Sequence, residues 1–506
     1  MARIASVITI LFAGASLVAG APTTSNHGSS PATEPDPKLA VSVKLNGATF
    51  VNKGLVGFGL IPSDFVESTG DSLGGIGSAI ALKPGSFKKN RDGTFSGTVI
   101  TQPDRGFNVD NTIDYQGRQH AIDFVLSPYY GDNNLTFADA QKTLALTYKS
   151  TFRYSERNNV PTTGLDALGV RAAQSGFSRD PLADPQLPIA NATFPRLSLD
   201  LEGLVLNKDG SFWISDEYGP YVYRFDSTGR LVQTIQPPQA ILPHNAQGEL
   251  SFDSENDPAT GRVGNQGFEC LTVDSAGTTL YVMLQSATVQ DGGDDKSTSR
   301  FTRLLAYDIS SPSKIRPKLK GEWVVPLPQN SKGNTLAASE IHFISRNTFF
   351  VLARDGDGHG GDDNNSAYKQ ADLIDISKAT NIANSKFDSP QFPIAKNGTL
   401  DRSINPATYV GFVNFIDDTQ LARFGLHNGK PADATLIDAK WESLALAPVG
   451  DSKFPHDFFL FTAADNDFMS TNGIFDGVSF NAGLDNDNQF LVFRVTLPTV
   501  TAASLV

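Results

Sequence analysis

A unit of four short strands separated by tight turns is the feature that most constrains this fold. Its clearest copy runs from Leu201 to Gln233, with the sequence LEGLVLNKDGSFWISDEYGPYVYRFDSTGRLVQ. Short apolar runs alternate there with Lys-Asp-Gly and Ser-Thr-Gly sequences, which favour turns between antiparallel strands. Strands and turns at this pitch, over about 40 residues, are typical of one blade of a β-propeller.

Later segments repeat this unit, and each begins with an apolar strand that carries a glutamate. Glu202 lies in the first of these strands, and we align Glu269, Glu340 and Glu442 with it in the later ones. An unpaired buried charge is costly, and the first strand of a propeller blade lines the central channel. The sequence therefore predicts a ring of carboxylates in the channel, neutralised by cations, by Arg or Lys side chains, or by channel water.

The number of units sets the expected architecture, which is an all-β single propeller with long inter-blade loops. Five units can be identified, and the first, at Gly74–Leu82, has Ser78 in place of the glutamate. The N-terminal strands Val41–Val51 could pair with the C-terminal strand Phe490–Leu497 and so close a sixth blade. We therefore expect six blades, with seven as the alternative.

Composition agrees with this architecture and narrows the partners. Forty-five Gly, 29 Pro and 34 Phe with only 3 Met favour turns and aromatic-rich strands over a helical bundle. A formal net charge of −13 argues against nucleic acid as a partner and is compatible with bound cations. Cys270 is the only cysteine and lies in an apolar run, so we expect a buried hydrophobic residue instead of a disulfide or a catalytic thiol.

The N-terminus carries the pattern of a secreted protein. Residues 1–20 contain Arg3, then an apolar run and small residues, as in a cleaved signal peptide. Residues 21–38 are rich in Ser, Thr and Pro and predict a disordered leader, which leaves residues 39–506 for the propeller domain. No later stretch is apolar and long enough to span a membrane. We expect a secreted, extracellular monomer, with N-glycans at the sequons of Asn134, Asn191, Asn364 and Asn397.

One catalytic motif occurs in a context that does not support it. Gly70-Asp71-Ser72-Leu73-Gly74 fits the G-x-S-x-G pattern of a nucleophile elbow. That elbow needs a strand before the serine and a helix after it. Here a polar loop precedes and a glycine-rich strand follows, so we interpret the match as chance.

At Glu202–Leu231 the chain resembles the phytase-like family, which is known by the description esterase-like activity of phytase. Further matching segments are Gly74–Leu82, Asp104-Arg105, Thr279–Ala287, Val351–Asp355, and Glu442 with Asp465–Asp467. The resemblance extends from about residue 54 to the end of the chain and implies a β-propeller with an esterase-like activity. A Gly- and Asp-rich loop after Asp355 and the serine at position 78 depart from the pattern.

Polar side chains are expected to converge where the second strands of the units end. This rim would contain Asp104, Arg105, Asp216, Glu217, Gln285, Arg354, Asp355, Asp465, Asn466 and Asp467. Oxygen ligands, with little His and one Cys, favour Ca²⁺ over zinc. The predicted metal ligands are Glu202, Glu269, Glu340, Glu442, Asp216, Asp355, Asp465 and Asp467. The loop after Asp355 has the alternating oxygens of Ca²⁺ loops without their closing Glu, so a polar turn is an equal interpretation.

The expected function is metal-assisted hydrolysis of a small-molecule ester or phosphoester. Ca²⁺ would bind the substrate oxyanion and activate a water, with Arg105 and Arg354 stabilising developing charge. Glu217 or Glu442 would serve as general base. The alternatives are a non-catalytic secreted propeller that binds a carbohydrate, peptide or cell-wall ligand, and a lactonase-like Ca²⁺ propeller enzyme.

Overall fold

The structure is a computed structural model that describes residues 33–107, 112–174, 184–311 and 316–500. The predicted signal peptide and most of the predicted leader, residues 1–32, lie outside the described residues. The chain is all-β, with 43% strand and 5% helix. At the end of the predicted leader, Pro37–Leu39 form a 3₁₀ turn capped by Asp36.

The strands fall into five main sheets, each of which forms a blade. Two N-terminal strands, β1 (Val41–Leu45) and β2 (Ala48–Ile61), precede the first blade. Blade 1 contains β3 (Ala79–Leu82), β4 (Lys88–Lys89), β5 (Phe95–Gln102), β6 (Arg118–Leu126) and β7 (Leu144–Arg153). A separate pair follows, β8 (Gly169–Arg171) and β9 (Leu187–Ile189). Blade 2 contains β10 (Leu201–Leu206), β11 (Phe212–Asp216), β12 (Val222–Phe225) and β13 (Leu231–Ile235).

The second half of the chain builds the other three blades with two inserted strand pairs. Blade 3 contains β14 (Phe268–Val273), β15 (Thr279–Leu284), β16 (Phe301–Asp308) and β17 (Lys318–Pro326). Blade 4 contains β18 (Ala337–Ser345), β19 (Thr348–Arg354), β20 (Lys369–Asp375) and β23 (Thr408–Asn414). A separate strand pair, β21 (Ala395–Lys396) and β22 (Thr399–Leu400), lies between β20 and β23. Blade 5 contains β24 (Lys440–Pro448), β25 (Asp457–Asp465) and β28 (Asn488–Thr496). A separate strand pair, β26 (Gly473–Phe475) and β27 (Val478–Phe480), lies between β25 and β28.

The two ends of the chain close blade 5 and do not form a sixth blade. Strand β2 pairs antiparallel with β28, with Leu55 opposite Phe493, which gives the sheet order β1-β2-β28-β25-β24. The inner strands β3, β10, β14, β18 and β24 contact one another in a closed ring. The predicted pairing of the chain ends therefore occurs, but the prediction of six or seven blades is wrong, because the described residues form five.

Helical segments are short and lie in the connections. The described residues contain two α-helices, α1 (Phe137–Ala140) and α2 (Asp418–Ala422). Further 3₁₀ turns lie at Gln141–Thr143, Arg157–Asn159, Val289–Asp291 and Lys386–Asp388. Within the described ranges, none of the helices combines the length and the apolar character needed to cross a bilayer.

The apolar core lies between adjacent blades, in five main clusters that follow one another around the ring. Trp213 of blade 2 packs with Val282 of blade 3, for example, and Trp441 of blade 5 packs with Phe415, which follows blade 4. Cys270 is buried between blades 3 and 4, as the sequence predicted. Because each cluster joins two sheets, the inner strands are held rigidly around the channel.

Candidate functional site

The inner strands of blades 2, 3 and 5 each carry a β-bulge at the predicted glutamate. The pairing register shifts between Leu201 and Leu204, between Phe268 and Cys270, and between Trp441 and Ser443. A bulge adds one residue to a strand and re-aims its side chain. Glu202, Glu269 and Glu442 are buried, and their carboxylates lie near enough to interact electrostatically.

Blade 4 departs from this arrangement, so the predicted alignment of four glutamates is wrong there. Its bulge falls between Ala338 and Glu340, which places Ser339 at the position that glutamate holds in the other blades. Glu340 instead accepts hydrogen bonds through Oε1 from the backbone N–H of Leu271, at 3.1 Å, and of Ile341, at 2.6 Å. Its carboxyl therefore ties blade 4 to blade 3, and burial raises its pKa well above the usual range.

Three carboxylates around the start of β10 form the first of two acidic clusters, which we call the blade 2 triad. Asp200, Glu202 and Glu217 each offer an oxygen within 4.8 Å of the others, and all three side chains are buried. Arg105 pairs with Asp200, Nη1 to Oδ2, at 3.0 Å. Oε1 of Glu217 is buried without a hydrogen-bond partner among the described residues.

The burial of these carboxylates and their closeness to one another favour the binding of a cation by this triad. Burial raises the pKa of Glu202 and of Glu217 well above the usual range, and the neighbouring carboxylates of Glu269 and Asp200 raise both further. Such groups remain protonated unless a positive charge compensates them. A set of carboxylate oxygens with an unpartnered buried atom is the donor chemistry that hard cations such as Ca²⁺ prefer.

The second cluster, which we call the aspartate cluster, consists of Asp104, Asp465 and Asp467 and already contains a cation. Its three ligand oxygens lie within 4.8 Å of one another. Lys440 Nζ lies 2.6 Å from Asp465 Oδ2 and 2.7 Å from Asp467 Oδ1. Burial, followed by the charge of Asp465, raises the pKa of Asp104 well above its usual range. The ammonium group thus stands where a metal ion would otherwise be expected.

Glu269, Glu442 and Arg354 lie close to both clusters. Gln285 Nε2 donates to Glu269 Oε1, and Arg354 Nη2 pairs with Glu442 Oε1. Burial, with the charge of Glu442, raises the pKa of Glu269 to about 8. Arg354 therefore forms an ion pair with Glu442, as Arg105 does with Asp200.

Carboxylates far outnumber cations at this channel mouth. The described acidic side chains there are Asp104, Asp200, Glu202, Glu217, Glu269, Glu442, Asp465 and Asp467, and the basic ones are Arg105, Arg262, Arg354 and Lys440. If all were ionised, four negative charges would be in excess. Buried charge of one sign is unfavourable, so this mouth requires either protonation or added cations.

Besides Glu340, two more predicted ligands lie outside these clusters and have structural hydrogen bonds. Asp216 accepts from the backbone N–H of Asp200, at 2.8 Å, and of Gly219, at 2.9 Å, and so shapes the turn that presents Glu217. Asp355 accepts from the backbone of its own loop and lies 3.2 Å from Lys369 Nζ. Although burial opposes ionisation, Lys369 lowers the pKa of Asp355.

Sequence reasoning missed Asp200 and Lys440, which are central to the two clusters. Each lies two residues before a bulge glutamate, Asp200 before Glu202 and Lys440 before Glu442. Since side chains two apart in a strand point to the same face, this spacing was the signal that could have identified them.

Comparisons with known proteins identify the family. The family described as Phytase-like, esterase-like activity of phytase, matches residues 90–421. A protein of Arthroderma benhamiae, named as an uncharacterized secreted protein, is 38% identical over an alignment of 480 residues, and the match covers 86% of this chain and 90% of that protein. Among solved structures, luciferin-regenerating enzyme aligns with 85% of this chain and 94% of that chain, at 10% identity and a TM-score of 0.26. The chain therefore belongs to the phytase-like family.

Proposed function

We propose that this protein is a secreted hydrolase of an ester or phosphoester, with a Ca²⁺ site at the blade 2 triad. The observation that carries the proposal is the triad itself, three buried carboxylates with an unpartnered Glu217 Oε1 at the mouth of a propeller channel. Membership in a family described by esterase-like activity supports hydrolysis. The signal peptide pattern and a relative named as secreted support secretion.

The two acidic clusters differ in their fitness for a metal ion. Lys440 neutralises the aspartate cluster, whereas the one ion pair described in the blade 2 triad is that of Arg105 with Asp200. The guanidinium of Arg262 acts on Glu217 without forming an ion pair and donates to the Tyr218 backbone carbonyl. We therefore assign the Ca²⁺ ligands to Asp200, Glu202 and Glu217. When bound there, Ca²⁺ would polarise the carbonyl or phosphoryl oxygen of the substrate.

The residues of the chain then divide the proton transfers between them. Glu217 takes a proton from the attacking water, whose oxygen bonds to the carbonyl carbon or the phosphorus. The ester bond to the leaving oxygen breaks, and the carboxyl of Glu269 donates a proton to that oxygen. The proton gained by Glu217 then replaces the one lost by Glu269, so one water and one ester give one acid and one alcohol. Arg105 and Arg354 hold Asp200 and Glu442 in place.

The test is hydrolysis by the purified full chain of p-nitrophenyl acetate, p-nitrophenyl phosphate and phytate, with Ca²⁺ and with EDTA. We expect turnover of at least one substrate with Ca²⁺, loss in EDTA, and recovery when Ca²⁺ is restored. Glu217→Gln should lower kcat by about 100-fold or more, with an unchanged unfolding temperature in EDTA. Glu340→Gln is the matched control, because the amide oxygen can still accept from the Leu271 N–H.

Two results would count against the proposal in different ways. No turnover of any substrate would refute hydrolysis and favour a binding propeller. Turnover that is indifferent to EDTA would remove Ca²⁺ from the mechanism and leave the carboxylates as the reacting groups.

A further inference from the structure

An aromatic wall borders the channel mouth between blades 1 and 5. Phe107 and Phe480 stack with ring centroids 4.2 Å apart and 27° between their planes. Phe475 lies 6.0 Å from Tyr115, whose ring meets that of Phe468 at 5.3 Å. Tyr115 and Phe468 are buried, whereas Phe107, Phe475 and Phe480 are partly exposed, and we call these three rings the aromatic wall.

The wall and the aspartate cluster share the same two loops. Asp104 precedes Phe107 by three residues, and its Oδ1 accepts from the backbone N–H of Gly106 at 2.9 Å. A Cβ at Gly106, where φ is +91°, would lie 2.6 Å from Tyr115, so only glycine allows this close approach. On the other loop, Asp467 directly precedes Phe468. The rings therefore stand next to the mouth.

The strand pair that carries two of these rings is held by the segment that matches the G-x-S-x-G pattern. Ser72 Oγ accepts from the backbone N–H of Ile474 at 2.8 Å, and Asp71 Oδ1 accepts from that of Asp476 at 2.8 Å. Ser72 is buried and serves as an anchor for β26 and β27. The wall is thus fixed before a ligand arrives, which lowers the entropic cost of binding.

Charge at the mouth selects against an anionic substrate. Three of the four basic side chains described there already have a carboxylate partner: Arg105 with Asp200, Arg354 with Glu442, and Lys440 with Asp465 and Asp467. The fourth, Arg262, is buried and donates to the backbone carbonyls of Tyr218 and Phe252. One bound divalent cation would still leave two negative charges in excess if all groups were ionised. Protonation reduces that excess but adds no positive charge. A phosphate ester would therefore meet repulsion, since like charges placed together disfavour a complex.

We infer that the substrate is an uncharged carboxylic ester whose acyl group carries an aromatic ring, which stacks on the aromatic wall while the ester carbonyl reaches the mouth. This inference rests on the proposed function and narrows it. Exposed aromatic surface rimmed by polar groups marks binding sites. Phe107 and Phe480 already stack on each other, and a further flat ring is the shape that extends such a stack.

The test compares p-nitrophenyl benzoate, p-nitrophenyl acetate and p-nitrophenyl phosphate, which share one leaving group, on the Ca²⁺-loaded full chain. Relative to the uncatalysed rates, we expect kcat/KM for the benzoate to exceed that for the acetate by about tenfold, with no measurable hydrolysis of the phosphate. Phe107→Ala and Phe480→Ala should each lower the benzoate value about threefold to tenfold and leave the acetate value within twofold. Phe392→Ala, at a ring that is 49% exposed and lies in the connection between β20 and β23 of blade 4, is the control.

Ligand-observed NMR measures the binding of methyl benzoate and of phenyl phosphate, and this measurement separates the inference from the proposed function. Binding of methyl benzoate that Phe107→Ala weakens supports the wall even if no ester is hydrolysed, a result that would refute hydrolysis alone. Hydrolysis of the phosphate but not of the carboxylic esters would overturn the inference and leave the proposed function standing. Equal acetate and benzoate kinetics, or no binding of methyl benzoate, would also overturn it.

Discussion

Lys440 is the residue whose replacement tests most directly how the channel mouth is neutralised. Its Nζ lies 2.6 Å from Asp465 and 2.7 Å from Asp467, and 3.6 Å from Glu442. Lys440→Met keeps most of the side-chain length and removes the charge. The three carboxylates of the aspartate cluster would then face one another without their internal cation.

The expected cost follows from the burial of this group. Removing one partner of a buried ion pair costs about 3–5 kcal/mol, and we expect the lower end because the Lys440 side chain is 26% exposed. The unit Glu34–Val506 has roughly 470 residues, so at about 2.1 cal/mol/K per residue its unfolding entropy is about 1 kcal/mol/K. The unfolding temperature should therefore fall by about 3 °C.

The loss of stability in Lys440→Met should depend on pH and on added Ca²⁺. Without Lys440, the folded-state pKa of Asp465 and of Asp467 rises further above the unfolded value. The unfolded state then loses these protons first as pH rises, so the variant should lose more stability at pH 8 than at pH 5. Added Ca²⁺ at 100 times its Kd should restore about 2.7 kcal/mol, by entering the vacated cluster.

The assay is scanning calorimetry of wild type and variants in EDTA and in Ca²⁺, at both pH values. Lys440→Arg keeps the charge and should lose less. Lys142→Met removes a surface pair with Asp139 and should cost under about 1 kcal/mol. A Lys440→Met protein with the wild-type unfolding temperature, or with a loss that is the same at both pH values, would refute this account of the cluster.

Three further predictions concern groups away from the mouth carboxylates or outside the blades. Glu340→Ala leaves two buried backbone N–H groups unsatisfied and should lower the free energy of unfolding by about 2–6 kcal/mol in urea titrations; an unchanged midpoint would contradict its structural role. His120 is buried, which lowers its pKa to about 3, so its contribution to stability should fall by about 1.4 kcal/mol per pH unit as pH drops from 6.5 towards 3; the difference in stability between wild type and His120→Gln should show that slope. In a eukaryotic secretion host, mass spectrometry should find glycans on the exposed Asn134 and Asn397 but not on Asn364. The sequon serine of Asn364, Ser366, is buried and donates to Asp355. A glycan on Asn364 would show that this sequon is accessible to the glycosylation enzyme before the chain has folded.

Strands within one blade could be predicted from the sequence because their partners are local. In the unit that begins at Leu201, the short apolar runs form the four consecutive strands of blade 2, β10 to β13. Blade number could not be derived in the same way. Closure depends on pairing β2 with β28, at opposite ends of the chain, and local patterns do not show whether such a pair completes an existing sheet or starts a new one.

The site was predicted in part, and each of the two errors has its own physical reason. A search for acids found Glu202 and Glu442 but passed over Lys440, because a lysine at the end of an apolar strand is normally assigned to solvent. The structure shows that Lys440 is an internal counter-ion. Glu340 was misplaced because a bulge shifts the register by one residue, and a one-residue shift sends a side chain to the other face of the strand.

The bulges explain why the mouth is asymmetric, although five similar strands build it. The extra residue is glutamate in blades 2, 3 and 5 but Ser339 in blade 4, and blade 1 has Ser78. Since the loops after β5, β11 and β25 add their own acids, the negative charge is concentrated on blades 5, 1 and 2. The aromatic wall stands on that same side. A symmetric ring would hold an ion on the channel axis, whereas this arrangement places both the candidate cation and the stacking surface at one side, as our inference that one ester contacts both requires.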